Sequence, residues 1–140
     1  MTKTNRKNHM SGEVFVITRG GETEALFPHA VSVTGGRTIF VSGQLALDKD
    51  GAIVGKGDMR AQLRQVGENL KASLEAAGAT LGDIVKTTTY VTDMEAFFGC
   101  MDVRREYLGA AFPTSTTVEV SRLADPDMMI EIEATAIVDD

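Results

Sequence analysis

The run Ile130–Val138 constrains this chain more than any other stretch. Ile130, Ile132, Ala134, Ala136 and Val138 alternate with Glu131, Glu133, Thr135 and Ile137. Alternation with period two is the pattern of a strand, with one set of side chains on each face of a sheet. The face with Ile130 and Ile132 must be covered, and the chain supplies a cover. Met59, Leu63, Val66, Leu70, Leu74 and Ala77 recur at steps of three and four, the stripe of an amphipathic helix. Asp58 is placed to cap that helix, and Gly78 sits where a left-handed stop is expected. Glu68, Lys71 and Glu75 fall on its solvent side.

The remaining elements follow from the same rules. Glu13–Thr18, rich in Val, Phe and Ile, reads as a first strand. Val31 and Val33 lead into Gly35-Gly36, and Thr38–Ser42 returns, so Val31–Ser42 reads as a hairpin. Asp48–Gly51 is a turn, and Ile84–Thr92 is a β-rich run. Met94, Phe97, Met101 and Leu108 give a second, weaker helical stripe ended by Gly109. Thr116, Val118 and Val120 then alternate with Ser115, Thr117, Glu119 and Ser121. The order β-β-β-α-β-α-β-β predicts an α+β fold, a mixed sheet of about six strands with both helices on one face. The other face is expected to carry Ser115, Thr117, Glu119, Glu131 and Glu133 among apolar residues. A face of that mixture is either solvated or covered by another subunit.

Composition narrows the function. The chain has 140 residues, enough for one domain with a real core. Its N-terminal MTKTNRKNHM is polar and basic, which predicts a flexible tail over residues 1–11 and a single domain over 12–140, with no secretory signal. The single Cys100 cannot form an internal disulfide and fits a cytoplasmic protein. No run approaches the roughly 18 apolar residues of a membrane span. The net charge of −6, with Lys3, Arg6 and Lys7 all in the tail, leaves the folded part without a basic patch. RNA or DNA binding needs such a patch, so nucleic acid is not an expected partner. No metal-ligand cluster, phosphate loop or dinucleotide fingerprint is present, and no cofactor is expected.

Five segments together, FVSGQLALD, GDMRAQLRQVGENLKASLEAAGA, DIVKTTTYVTDM, FPTSTTVEVSRL and MMIEIEATAIV, resemble the reactive intermediate deaminase (Rid, YjgF) family, formerly labelled L-PSP endoribonuclease. The resemblance runs from about Phe27 to Val138 in family order. It implies a chorismate-mutase-like homotrimer with a small-molecule cleft between neighbouring subunits, and hydrolytic deamination of a reactive enamine or imine. It assigns to Glu131 the orientation of the attacking water, and places Gly43, Thr116 and Thr117 along the cleft. One residue more than usual separates Ser115 from Glu131, and the Leu123–Met129 loop is the expected place for it.

The sequence departs from the family at the residue that should bind substrate. Deaminating members typically carry Arg where this chain has Ser115, and that Arg holds the substrate carboxylate. A guanidinium binds a carboxylate with two charge-assisted hydrogen bonds, whereas a serine offers one neutral donor. Losing a buried charged partner costs on the order of 2–5 kcal/mol. Met101 stands where many members have Asn, and Phe27 where many have Tyr. All three changes remove polar or charged groups, which points to a more apolar ligand or to a protein that binds without turnover. Arg104 and Arg105 are the nearest substitutes for the missing cation, and both read first as solvated helix charges. Arg122 reads as structural. His29 is a weaker acid–base candidate, since histidine as a residue type often serves in that role.

Overall fold

The computed structural model describes residues 2–10 and 26–140. The strand expected at Glu13–Thr18 lies outside the described residues. The six described strands are β1 (Asn5–His9), β2 (Ala30–Thr34), β3 (Arg37–Leu45), β4 (Ile84–Val91), β5 (Thr114–Glu119) and β6 (Ile130–Val138). Three helices join them: α1 (Met59–Ala76), α2 (Met94–Phe98) and α3 (Met101–Leu108). Four strands form a mixed sheet in the order β3-β6-β4-β5; β4 and β5 run parallel, and the other two pairs are antiparallel.

β6 behaves as its alternation requires. Ile130, Ile132, Ala134 and Ala136 are buried in the core, while Glu131 and Glu133 lie on the far face. The core beneath is closed by α1, whose Leu63, Val66, Leu70 and Leu74 are almost wholly inaccessible. Asp58 caps α1 by accepting a hydrogen bond from Ala61 N, and Gly78 at φ 81° turns the chain away from its end. Only a residue without Cβ reaches that conformation without strain. α1 and α3 approach closely at Gly67, where a Cβ would sit 2.5 Å from the ring of Tyr107.

Three expectations need correction. The basic N-terminal segment is a strand: β1 pairs antiparallel with β2 from Asn5↔Thr34 to His9↔Ala30. Arg6 anchors it by donating to the carbonyls of Gly82 and Ala111, which is why a polar, basic run is held against the domain. The hairpin expected at Val31–Ser42 does not form. Among the described residues β2 pairs with β1, and β3 pairs instead with β6. The second helix is two helices. Asp93 caps α2 by accepting from Ala96 N, Gly99 ends it, and α3 begins after Cys100.

Gln62 ties α1 to the loop that launches β6. Its side chain is fully buried, donates to the carbonyls of Gly55 and Asp127, and accepts from Met129 N. Replacing it with leucine strands three buried backbone groups. Gln62→Leu should therefore lower unfolding stability by about 2–4 kcal/mol, read from a urea unfolding curve.

Candidate functional site

The register of the four-stranded sheet decides which candidates share a face. Ser115 pairs with Thr87, which pairs with Ala134; Thr117 pairs with Thr89, which pairs with Ile132. Thr87 and Thr89 are buried on the helix side, so Ser115 and Thr117 lie on that side too. Glu119 follows them and accepts a hydrogen bond from Met94 N at the start of α2. The far face carries Thr116 and Val118 from β5, Thr88 and Tyr90 from β4, and Glu131 and Glu133 from β6. The expectation that Ser115, Thr117 and Glu119 join the two glutamates is therefore corrected. The alternation in β5 was misleading because the far face is itself partly apolar: Val118 is 38% exposed and Phe40 is 81% exposed there.

On the helix side a cavity of about 180 Å³ opens beneath β5. Phe27, Phe97, Phe98 and Met101 form its apolar wall, and Ser115, Thr117 and Arg104 supply its polar groups. The structure thus brings together Ser115, Thr117, Phe27 and Met101. It also adds Arg104, whose expected solvated role is wrong: the side chain is only 5% exposed. Its Nη1 donates a long hydrogen bond of 3.4 Å to Leu26 O, and its buried Nη2 has no acceptor among the described residues. Burial pulls the guanidinium below its ordinary pKa, and the charge of Arg105 acts in the same direction. The entry to β5 from α3 is tight, with Phe112 at φ 48° and Pro113 buried behind it.

Glu131 and Gly43 form a second group. β3 carries a register shift between Val41 and Gln44, which places Gly43 against the half-buried Glu131 side chain. A Cβ at Gly43 would lie 2.0 Å from Glu131 Oε1, so the carboxylate occupies the space that any other residue would fill. Asn69 of α1 holds the end of β3 by donating to the carbonyls of Leu45 and Leu47. Next to Glu131 on the sheet, Tyr90 donates to Glu133 at 3.0 Å. That hydrogen bond, with some burial and the charges of Glu133 and Glu131, raises the pKa of the phenol.

The remaining candidates sit elsewhere. His29 immediately precedes β2 and donates its backbone N–H to His9 O, outside the lining of the cavity. Thr116 is exposed on the far face. Arg122 donates to the carbonyls of Leu123 and Ala124 in its own loop, in keeping with a structural role. Cys100 is buried in the core, and burial raises its pKa, which keeps it a thiol.

A protein-family model described as Endoribonuclease L-PSP matches residues 21–138. The chain belongs to this family, the Rid or YjgF family. A RutC family protein of Pyrococcus horikoshii is 47% identical over 110 residues, covering 78% of this chain and 86% of that one. The 2-iminobutanoate/2-iminopropanoate deaminase of Salmonella typhimurium is 42% identical over 117 residues, 81% of this chain and 89% of the enzyme. Among solved structures, a Rid family protein of Yersinia pestis superposes with a TM-score of 0.76 at 36% identity, covering 96% of this chain and 99% of that one. The fold is that of the Rid family, an α+β sheet with helices on one face.

The fit of Glu131 over Gly43 can be tested without a substrate. Gly43→Ala should destabilise the protein by about 1–3 kcal/mol, because the new methyl displaces the carboxylate. The penalty should shrink markedly in a Glu131→Ala background, where the space is vacant. A double-mutant cycle of unfolding free energies measures this coupling.

Proposed function

We propose that the protein hydrolyses a reactive enamine or imine of small-molecule size, with Glu131 orienting the attacking water. The placement of the Glu131 carboxylate over Gly43 carries this reading. A carboxylate lying against a strand bulge, beside a residue without a side chain, leaves room for a water next to it, and relatives of similar length are named as imine deaminases. In the reaction, Glu131 accepts a proton as the water oxygen bonds to the imine carbon. The proton passes to nitrogen, the C–N bond breaks, and the products are a carbonyl compound and ammonia. An enamine enters the same route after protonation at carbon.

The same geometry supports an oligomeric site. Ser115 and Glu131 lie on opposite faces of one sheet, so a single ligand touching both must lie between two copies of the chain. Phe40, Val118 and Tyr90 give the far face the mixed character of a subunit interface. A homotrimer with three inter-subunit clefts fits both features. Light scattering of the full chain at micromolar concentration should return a mass near three chains, and a monomer would remove the shared site.

Ser115 favours a second reading, a trimer that binds its ligand without turnover, since the usual Arg is missing there. Glu131→Gln separates the two. In the hydrolytic reading the near-isosteric amide should preserve assembly and ligand affinity while turnover falls by roughly 100-fold or more, because the amide cannot take the proton of water. Steady-state ammonia release from a panel of imines and enamines, with and without carboxylates, is the measurement. Undiminished turnover in the variant would remove Glu131 from the mechanism.

A further inference from the structure

We propose that Arg104 is the anion anchor of the cavity beneath β5, and that the ligand is a small carboxylate bearing an apolar group. The reaction assigned to this ligand rests on the hydrolytic reading above; the binding does not.

The argument starts from the state of the guanidinium. Arg104 is 5% exposed and, among the described residues, makes one long hydrogen bond to a carbonyl and buries Nη2 without an acceptor. No acidic side chain is among the described residues lining the cavity. A buried charge without a partner is unfavourable by several kcal/mol, and natural interiors rarely keep one without compensation. Arginine cannot escape by losing its proton at neutral pH. An anion entering the cavity would supply that compensation.

The surroundings define that anion. Arg104 lies three residues after Met101 on α3, so both project from one face of the helix into the same space. Ser115 and Thr117 on β5 place hydroxyl donors in the same cavity, which suits the remaining lone pairs of a carboxylate. The space of about 180 Å³ holds only a small molecule. One cation also matches a single negative charge better than a phosphate dianion. Phe27, Phe97, Phe98 and Met101 take the uncharged remainder, which must be apolar. Arg104 thus supplies from the helix the charge that Ser115 does not supply from the strand.

The test is a calorimetric titration of the full-length protein with 2-oxobutanoate, and with butanone as its carboxylate-free match. Wild type should bind the acid at least about 30-fold more tightly than the ketone. Arg104→Met should erase that difference, and Arg104→Lys, which keeps charge but loses the fork, should fall between them. Unliganded Arg104→Met should melt no lower than wild type, since removing an unpaired buried charge relieves the fold; a structural arginine would give a lower melting temperature. Wild type that fails to bind the acid at millimolar concentration, or an Arg104 variant that binds it as wild type does, overturns the proposal. Should Arg104→Met not fold, its structural role is exposed and the proposal falls unless Arg104→Lys folds and loses acid affinity. The hydrolytic reading fails separately: if wild type and Glu131→Gln bind the acid alike and neither releases ammonia from any imine, the anchor stands and the reaction does not.

Discussion

β6 has both edges paired, to β3 and to β4, and one face sealed by α1. A strand held in this way has no freedom to slip, since a shift of one residue would exchange Ile130 and Ile132 for Glu131 and Glu133 in the core. The rest of the arrangement depends on that fixed register. It puts Glu131 against the bulge in β3, where Gly43 gives up its side chain to admit the carboxylate. It also fixes where β4 and then β5 must lie, and so which face receives Ser115. Gln62 completes the constraint by clasping the preceding loop to α1, so the start of β6 is held as firmly as its middle.

In the proposed function, the labour is divided between faces. The cavity with Arg104, Ser115 and Thr117 lies under β5 on the helix side, and Glu131 lies over β6 on the other. Among the described strands β5 is the outer one, with β4 between it and the β6 strand that carries Glu131. A second copy of the chain docking along this edge is the simplest way to bring a carboxylate from one molecule to a cavity in another. Such docking would also cover the exposed ring of Phe40 on the far face. Closed rotational symmetry would then repeat the same pairing at every interface.

Long periodic elements were legible in the sequence, and short or edge elements were not. α1 and β6 follow their stripes almost to the residue, because each buries one continuous face and nothing competes with the pattern. The face of β5 was misjudged because an edge strand between a polar cavity and a partly apolar outer face carries no clean alternation. β1 was hidden by its composition: Asn, Arg, Lys and His carry little strand signal, and pairing with β2 plus the reach of Arg6 decides the matter. Arg104 did leave a trace. Phe97, Met101, Arg104 and Leu108 fall at steps of four, three and four, so the arginine occupies a position on the apolar stripe itself. A charge on the buried side of a helix is a stronger signal than its residue type.

If Arg104 is the anchor, moving the cation from strand to helix changes more than an address. An arginine on β5 at position 115 would extend from the sheet, with its charge set by the strand's own direction. Arg104 comes from α3 and is buried along with Val103 and Leu108 of the same helix, and a buried side chain has less rotamer freedom to lose on binding. Pre-organisation of this kind lowers the entropic cost of binding, at the expense of stability in the empty state. A carboxylate seated between this fork and the hydroxyls of Ser115 and Thr117 would be bound from two elements at once. Its apolar end would then run along Phe97 and Phe98, the residues that close α2. The break between α2 and α3 at Gly99 has a use in this setting: it lets the aromatic wall and the cation be oriented separately around one small space.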